Sequence, residues 1–264
     1  MLRVFIFLFL LITACSTQTE KPYVQAVYPT SNVLPENLLR LYVQFSQPMK
    51  TIGNIEKIKL IDEQGKEVPD VFFNNVYELW NKEQTQLTLI LDPARVKTGL
   101  KINESLGRAI EASRNYKLII ENLENIHHEK MARSFQKRIR VEEVDLIIPE
   151  SENWNLVIPK AKSKTNFVVE FPQILDYNSL KERLIVTDSE NHRIEGIVSI
   201  KNQETEWNFQ PTKTWESGDY ILHVNTRLED PSGNNLNGLF DHKTGSLKYR
   251  KEGIVKKIPF TIKP

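Results

Sequence analysis

The sequence predicts an all-β protein that consists of two β-sandwich domains in tandem. From Tyr23 onwards the chain is made of short segments in which apolar and polar residues alternate, with turn residues between the segments. A period of two is typical of half-buried strands. One such segment, residues 39–45, has an echo at residues 166–171, and convincing helical periodicity is scarce. Many short strands separated by turns, present in two similar copies, indicate two sandwiches.

The strands are predicted from this alternation one by one. In residues 39–45 the apolar side chains of Leu39, Leu41, Val43 and Phe45 share one face, and Pro48 then ends the hydrogen-bonded ladder. The first half contains strands at 39–45, 58–61, 68–73, 76–80, 86–91, 116–120 and 136–141. The second half contains strands at 154–158, 166–171, 183–187, 194–200, 205–209, 220–225 and 254–262. About seven strands in each half is the number found in an immunoglobulin-like (Ig-like) sandwich.

The two halves also correspond in order along the chain. Four segments of the first half match four of the second: 41–45 with 167–171, 60–65 with 186–191, 89–93 with 207–211, and 115–118 with 219–222. A tandem duplication accounts for all four matches. We therefore expect a first Ig-like domain at residues 24–145 and a second at residues 146–264, joined near residues 143–148.

Two parts of the chain resemble a known family of domains. Val27-Tyr28-Pro29 through Phe45-Ser46-Gln47-Pro48-Met49 is similar to the opening of a bacterial Ig-like domain of the S-layer-protein type. Ser217-Gly218-Asp219-Tyr220, followed by Asp230-Pro231-Ser232-Gly233-Asn234, resembles the closing half of the same family. The family is a structural module of cell-envelope proteins, so the resemblance implies a fold and no catalytic residues.

Each copy departs from the family pattern at one place. The second copy has Phe171-Pro172-Gln173, without the Ser and Met of the opening signature. The first copy has residues 123–127 where the Gly-Asn turn of the closing half is expected.

The first fifteen residues have the order of a secretory signal. Arg3 precedes an apolar run at residues 4–12, and Thr13-Ala14-Cys15 closes the run with small residues and a cysteine. The run is too short to span a membrane as a helix. The order Ile12-Thr13-Ala14-Cys15 resembles a bacterial lipobox, in which the cysteine is acylated and becomes the first mature residue. The alternative is an ordinary signal peptide with an incidental cysteine.

The lipobox resemblance implies a lipoprotein that is anchored to membrane lipid through Cys15. Several acyl tails exceed the two signals that stable anchoring requires. Residues 1–14 would then be the signal peptide and residues 15–23 a lipidated tether. Ser16 follows the cysteine, whereas an Asp there resembles the inner-membrane retention signal of Gram-negative lipoproteins. We expect a cell-envelope location, on the outer membrane if the source is Gram-negative.

The charge balance and the cysteine content limit the classes of protein to which this chain can belong. The chain carries 35 basic and 34 acidic side chains. Loss of residues 1–14 would remove Arg3 and no acid, and such a balanced chain argues against a nucleic-acid partner. Cys15 is the only cysteine, so both domains are expected to hold together by their cores without a disulfide.

The copies differ most at residues 94–114, an insertion that is present only in the first half. Loops on a rigid sandwich often carry binding surfaces. We therefore take Lys97, Asn103, Glu104 and Arg108 as a possible binding loop. The alternative is a lid over the end of the core. Trp215 is a further candidate, because it could stack on a sugar, and its alternative is a plug inside a hairpin.

Each of the other motifs that could bind a ligand or catalyse a reaction also has a simpler structural interpretation. His127-His128 lacks a third metal ligand nearby in sequence. Residues 230–235 offer oxygens for calcium but also form an ordinary Asx turn. The basic residues between Lys130 and Arg140 could contact anionic lipid or acidic glycan, or form the solvated face of an edge strand. No nucleophile elbow or phosphate-binding glycine loop occurs. We expect no metal, no cofactor and no catalytic residues.

These observations favour a non-catalytic binding or scaffold lipoprotein whose partner is an envelope protein or glycan. An enzyme or accessory subunit that acts on envelope polysaccharide is the alternative, with loop carboxylates or Trp215 at its site. A third possibility is an assembly factor that offers an edge strand to a client protein.

Overall fold

A computed structural model describes residues 20–73, 77–97, 107–241 and 255–264. The predicted signal peptide, Cys15, Asn103 and Glu104 therefore lie outside the described residues. None of the described helices is long and apolar enough to cross a membrane.

The described chain is built almost entirely of strands. These are β1 (Val24–Tyr28), β2 (Val33–Pro35), β3 (Arg40–Phe45), β4 (Ile58–Ile61), β5 (Leu79–Trp80), β6 (Gln86–Ile90), β7 (Asn115–Ile120), β8 (Phe135–Glu142), β9 (Asn155–Val157), β10 (Phe167–Glu170), β11 (Leu184–Asp188), β12 (Gly196–Lys201), β13 (Glu206–Pro211), β14 (Gly218–Asn225) and β15 (Val255–Ile262). Two short helices, α1 (Pro93–Val96) and α2 (Tyr177–Glu182), lie between strands, as do 3-10 turns at Ile55–Lys57 and Ser151–Asn153.

The first sandwich packs two four-stranded sheets, with strand orders β1-β3-β6-β5 and β2-β8-β7-β4. Alternation in β3 and β6 sends Leu41, Val43, Phe45, Leu87 and Leu89 into the core, where each is almost fully buried. β2 pairs in parallel with β8, with Leu34 opposite Val141, whereas the other pairs are antiparallel.

The second sandwich packs the sheet β9-β10-β13-β12 on the sheet β11-β14-β15. Its core is rich in aromatic rings. Phe167 stacks on Phe260 with ring centroids 4.2 Å apart and meets Trp207 edge-on at 6.2 Å. Such pairs contribute beyond the area that they bury. The all-β sandwich prediction is confirmed.

The strand pairing repeats between the two sandwiches. β3 pairs with β6 as β10 pairs with β13, and β4-β7-β8 has the same order as β11-β14-β15. The turn after β4 is also repeated, because Asp62 Oδ1 accepts hydrogen bonds from the N–H groups of Gln64 and Lys66, and Asp188 Oδ1 accepts from those of Glu190 and His192. Three of the four sequence matches occupy equivalent sheet positions, whereas the match of 89–93 with 207–211 is two residues out of register, since Leu89 corresponds to Phe209. The domain boundaries at 145 and 146 stay a prediction.

Three details differ from the sequence-based expectation. Residues 68–73 form no strand. Among the described residues, this stretch has one isolated bridge, at Phe72, and another lies just before it, at Glu67. β1 and β2 were not predicted, because β1 is short and ends just before Pro29, and β2 has three residues and ends at Pro35. α2 was also not predicted, although Asp176 at its N-cap accepts a hydrogen bond from Ser179 N–H, which is a local helix signal.

Candidate functional site

The described ends of the 94–114 insertion pack onto the first sandwich. Val96, Ala109 and Ile110 are buried in the core. Arg95 is also buried, and its guanidinium donates to the carbonyl oxygens of Pro69, Asp70, Gly107 and Arg108. A buried guanidinium needs such acceptors. These parts of the insertion therefore cover the core, as the lid interpretation requires.

The other proposed loop residues differ in their surroundings. Arg108 contacts its own sandwich, Lys97 contacts a residue of the second half, and two residues lie outside the described ranges. Arg108 Nε is 3.5 Å from Glu36 Oε2, and the Arg108 guanidinium also contacts the carbonyl of Val96. The Lys97 ammonium lies 4.4 Å from the centre of the Phe240 ring. Asn103 and Glu104 lie outside the described residues, so their role stays a prediction.

Trp215 is buried, and the prediction that it stacks on a sugar is wrong. Only 1% of its surface is exposed. Its indole N–H donates to the carbonyl of Thr165 at 2.8 Å, and its ring packs against Phe209 and Tyr220. The residue is the hairpin plug of the alternative interpretation. Trp215 has charged neighbours in the sequence, but it is part of the core because its loop folds back over the open end of the sandwich.

The basic run at 130–140 ends in β8, which β7 pairs along residues 135–140 on one side. On the other side β2 pairs only with residues 140–142. Lys137 points inwards with Ile139 and Val141, is 7% exposed, and donates to Thr30 O at 2.9 Å. Arg138 and Arg140 are on the outer, exposed face. The solvated-face interpretation is therefore confirmed for Arg138 and Arg140, whereas the parallel pairing of β2 with residues 140–142 gave no signal in the sequence.

The remaining ligand candidates are ordinary surface or turn residues. His127 and His128 are both exposed. In the 230–235 turn, Asp230 accepts hydrogen bonds from Ser232 N–H, Asn234 N–H and Asn234 Nδ2. Within the described ranges, no group of three His, Cys, Asp or Glu residues is placed to hold a metal ion.

The two sandwiches meet through buried polar contacts, which we call the junction. Tyr42 on β3 donates its hydroxyl proton to Asp176 Oδ2 at 2.8 Å. Both residues are almost fully buried. Burial raises the pKa of Asp176 above its usual range, and the nearby Arg40 guanidinium opposes that shift. Arg40 also lies 2.5 Å from Glu229.

A second group of contacts extends the junction. The N–H and hydroxyl groups of Thr30 both donate to the Glu204 carboxylate at 2.8 Å. Tyr28 stacks on Tyr177 with ring centroids 3.5 Å apart. Burial lowers the pKa of Lys137 to about 8, and Glu204 partly offsets this shift. Hydrogen bonds and stacked rings from several elements fix the two sandwiches against each other.

The 230–235 turn forms the third part of the junction. Leu39 N–H donates to Pro231 O at 2.9 Å, Ser232 Oγ donates to Asn37 Oδ1 at 3.1 Å, and Asn234 Nδ2 donates to Asp145 O at 3.1 Å. Burial, together with repulsion from Asp145, raises the pKa of Asp230 to about 8. This turn thus serves as a contact between the two sandwiches.

A groove with a volume of about 710 Å³ opens beside the junction. We call it the junction groove, and its lining residues come from β2, the end of β8, the connection at 143–147, Gln173, Ile174 and Pro231. Leu146 is 57% and Ile147 65% exposed. The buried Nε2 of Gln173 has no hydrogen-bond partner in the described part of the chain. Exposed aliphatic groups that line a groove are a feature of binding sites.

Sequence reasoning did not find this site. Its residues are contributed by segments that lie up to about two hundred positions apart, such as Val33 and Pro231. The one local signal was the apolar run Leu146-Ile147-Ile148 in a connection that is otherwise acidic.

No protein-family model matches this chain, and no curated protein matches it significantly. Among solved structures, it is similar to alpha-2-macroglobulin from Escherichia coli, at 11% identity and a TM-score of 0.29, over 92% of this chain and 72% of that one. It is also similar to domains 1–6 of the S-layer protein SbsC, at 7% identity and a TM-score of 0.33, over 93% and 41% of the two chains.

A third similar structure is the Bacteroides ovatus glucan-utilization protein SGBP-B in complex with a mixed-linkage heptasaccharide. The identity is 12% and the TM-score 0.24, over 79% of this chain and 44% of that one. The chain thus spans less than half of the SbsC and SGBP-B structures. At these identities and TM-scores, the similarities carry no argument about function.

Replacement of Tyr42 by Phe removes a donor from a buried carboxylate. We expect Tyr42→Phe to lower the free energy of unfolding by about 1–3 kcal/mol, because Asp176 stays buried with one partner fewer. Urea unfolding followed by circular dichroism measures the change. The control is Tyr220→Phe, whose hydroxyl donates to the neutral carbonyl of Glu216. An equal or larger loss in the control would contradict the prediction.

The raised pKa of Asp230 makes stability depend on pH. Between pH 5 and 7 the folded chain holds a proton on Asp230 that the unfolded chain releases, so the free energy of unfolding falls as pH rises. The slope from this one group is about 1.4 kcal/mol per pH unit. Lys137 is protonated in both states over this range and adds no slope.

The measurement is urea unfolding at pH 5, 6 and 7 for the wild type and Asp230→Asn. The variant keeps one acceptor oxygen for the two turn N–H groups, and all other titrating groups are shared. The wild-type stability should fall more steeply with pH than that of the variant. Parallel pH profiles would show that Asp230 is ionised in the fold throughout.

Proposed function

We propose that this chain is a non-catalytic binding or scaffold lipoprotein of the cell envelope, which holds a segment of a protein partner in the junction groove. The observation that carries the proposal is the groove itself. It presents exposed Leu146 and Ile147 beside Ile174 and Pro231. An extended polypeptide offers apolar side chains for such a surface.

The lining favours a polypeptide over a glycan. Sugars usually bind against the flat faces of aromatic rings, and the described residues that line the groove include no aromatic side chain. Trp215, the residue that sequence reasoning offered for sugar stacking, is inside the core. The burial of Trp215 removes one of the two features on which the alternative, an enzyme or accessory subunit that acts on polysaccharide, was based.

The junction supports binding by keeping the groove walls in place. One wall belongs to β2 and β8 of the first sandwich, and the other to Gln173, Ile174 and Pro231 near the second. Tyr42–Asp176 and Leu39–Pro231 hold together the two sandwiches that carry these walls. A preformed groove loses little conformational freedom on binding, and this strengthens affinity.

Site-specific photo-cross-linking in living cells tests the groove. A photoreactive amino acid in place of Ile147 should give a discrete protein cross-link that mass spectrometry identifies. The same amino acid in place of Ile197, which is 70% exposed on β12, serves as the control and should not. We expect Leu146→Asp to reduce the Ile147 cross-link about tenfold, because a buried apolar contact is replaced by a charge.

Two outcomes would contradict the protein-binding proposal. Identical cross-links at both positions would show that the groove does not bind a partner selectively. Retention of peptidoglycan or polysaccharide fragments, without a protein, would favour the polysaccharide alternative.

Cys15→Ala tests the lipid anchor separately. The variant should move from the membrane fraction to the soluble fraction, because each buried methylene of an acyl chain contributes about 0.8 kcal/mol to membrane binding. Ser16→Asp is the matched control, since it leaves the acylated sulfur in place and should remain membrane-bound. A Cys15→Ala variant that stays with the membrane would refute the anchor.

A further inference from the structure

The chain enters the first sandwich at the end that is remote from the junction groove. Gln47 Nε2 donates to Glu20 O at 2.6 Å, Ala132 N–H to Pro22 O at 2.9 Å, and Ser46 N–H to Tyr23 O at 3.0 Å. These contacts fix the first described residues beside the loops at 46–54, 81–85 and 121–134. We call this the entry end. The groove lies at the other end of β8, about 26 Å away along its eight residues.

The entry end carries two exposed isoleucines on neighbouring loops. Ile52 is 80% and Ile126 47% exposed. Both line one recess of about 550 Å³, together with Met49, Gln84 and other loop residues. The two side chains therefore belong to one surface. Large exposed aliphatic groups at loop tips are costly in water and mark a contact surface.

The loop that carries Ile126 is the counterpart of the junction turn in the second sandwich. Asn125 Oδ1 accepts from the N–H groups of His127 and Glu129, just as Asp230 Oδ1 accepts from those of Ser232 and Asn234. His128, at φ +64°, takes the place of Gly233, at φ +79°. This correspondence explains how the first copy builds the turn without Gly-Asn. In the second copy the turn is covered by the first sandwich, whereas in the first copy its tip is open.

The tether brings this open tip close to the lipid. Cys15 lies five residues before Glu20, and five extended residues span at most about 18 Å. We infer that the entry end rests on the lipid surface, with Ile52 and Ile126 inserted among the headgroups and upper acyl chains. The inference rests on the proposed acylation of Cys15, and it extends that proposal from an anchor to an oriented contact.

The charges around the two isoleucines favour an apolar contact. Lys50 Nζ is 2.7 Å from Glu124 Oε2, and His128 Nδ1 is 3.8 Å from the same carboxylate. The positive groups nearest the isoleucines are thus matched by a carboxylate. The contact should depend little on the anionic lipid content, in contrast to polybasic surfaces.

Depth-dependent fluorescence quenching tests the inference on the full acylated chain in vesicles. Acylation uses the sulfur of Cys15, so one added cysteine gives a single labelling site. Ile52→Cys and Ile126→Cys would carry a polarity-sensitive dye, and Ile147→Cys, which is exposed in the groove, is the control. Lipids with nitroxides near the headgroup should quench the dye at 52 and 126 about twofold or more relative to 147.

Vesicle flotation separates the two ways in which the experiment can fail. If the chain floats and the three positions are quenched equally, the anchor stands and the oriented contact is refuted. If the acylated chain does not float, the anchor is refuted and the inference fails with it. A repeat with zwitterionic lipid alone should give the same difference between positions, and its loss would refute the apolar contact.

Discussion

The hydrogen bond between Tyr42 and Asp176 is the contact on which the arrangement of the two sandwiches depends. A carboxylate that is almost completely buried has a high desolvation cost, and it persists only where a donor and a positive charge face it. Tyr42 supplies the donor and Arg40 the charge, both from the outer face of the first sandwich. Neither sandwich satisfies Asp176 alone. Polar contacts of this kind specify one geometry more strictly than an apolar interface does, because a shifted register leaves a charge unpaired.

The two sandwiches have the same strand pairing and the same turns, but equivalent turns make different contacts in each sandwich. The Asx turn of the second copy lies against Leu39 and Asn37, and it forms one side of the junction. The same turn in the first copy presents Ile126 to the outside at the entry end. The first sandwich thus has a lipid-facing end and a groove-facing end in our proposals. A partner bound in the groove would be held about one strand length from the membrane.

Two described residues that the sequence offered for binding, Arg108 and Trp215, are engaged within the sandwiches, and the reason is physical. Sequence reasoning selected the 94–114 insertion because insertions on a sandwich are commonly exposed, but the buried Arg95 holds the described ends of that insertion against the core. It selected Trp215 because charged residues flank it, but flanking charges can point outwards while the indole fills the core. Whether a side chain in a turn is buried depends on where the whole turn lies in the fold. The local sequence pattern does not contain this information.

The sequence by itself determined most of the strands and their inward faces, because these follow from a period of two within a few residues. It determined the repeat through matched segments in the two halves. It also determined the turns at Asp62, Asp188 and Asp230, since a side-chain oxygen there reaches N–H groups only two and four positions ahead. The tertiary structure alone decided the junction and its groove. Tyr42 and Asp176 are 134 positions apart, and Arg40 and Glu229 are 189 apart. Contacts over such separations require both sandwiches to be folded and docked, so the groove between them is a property of the docked pair.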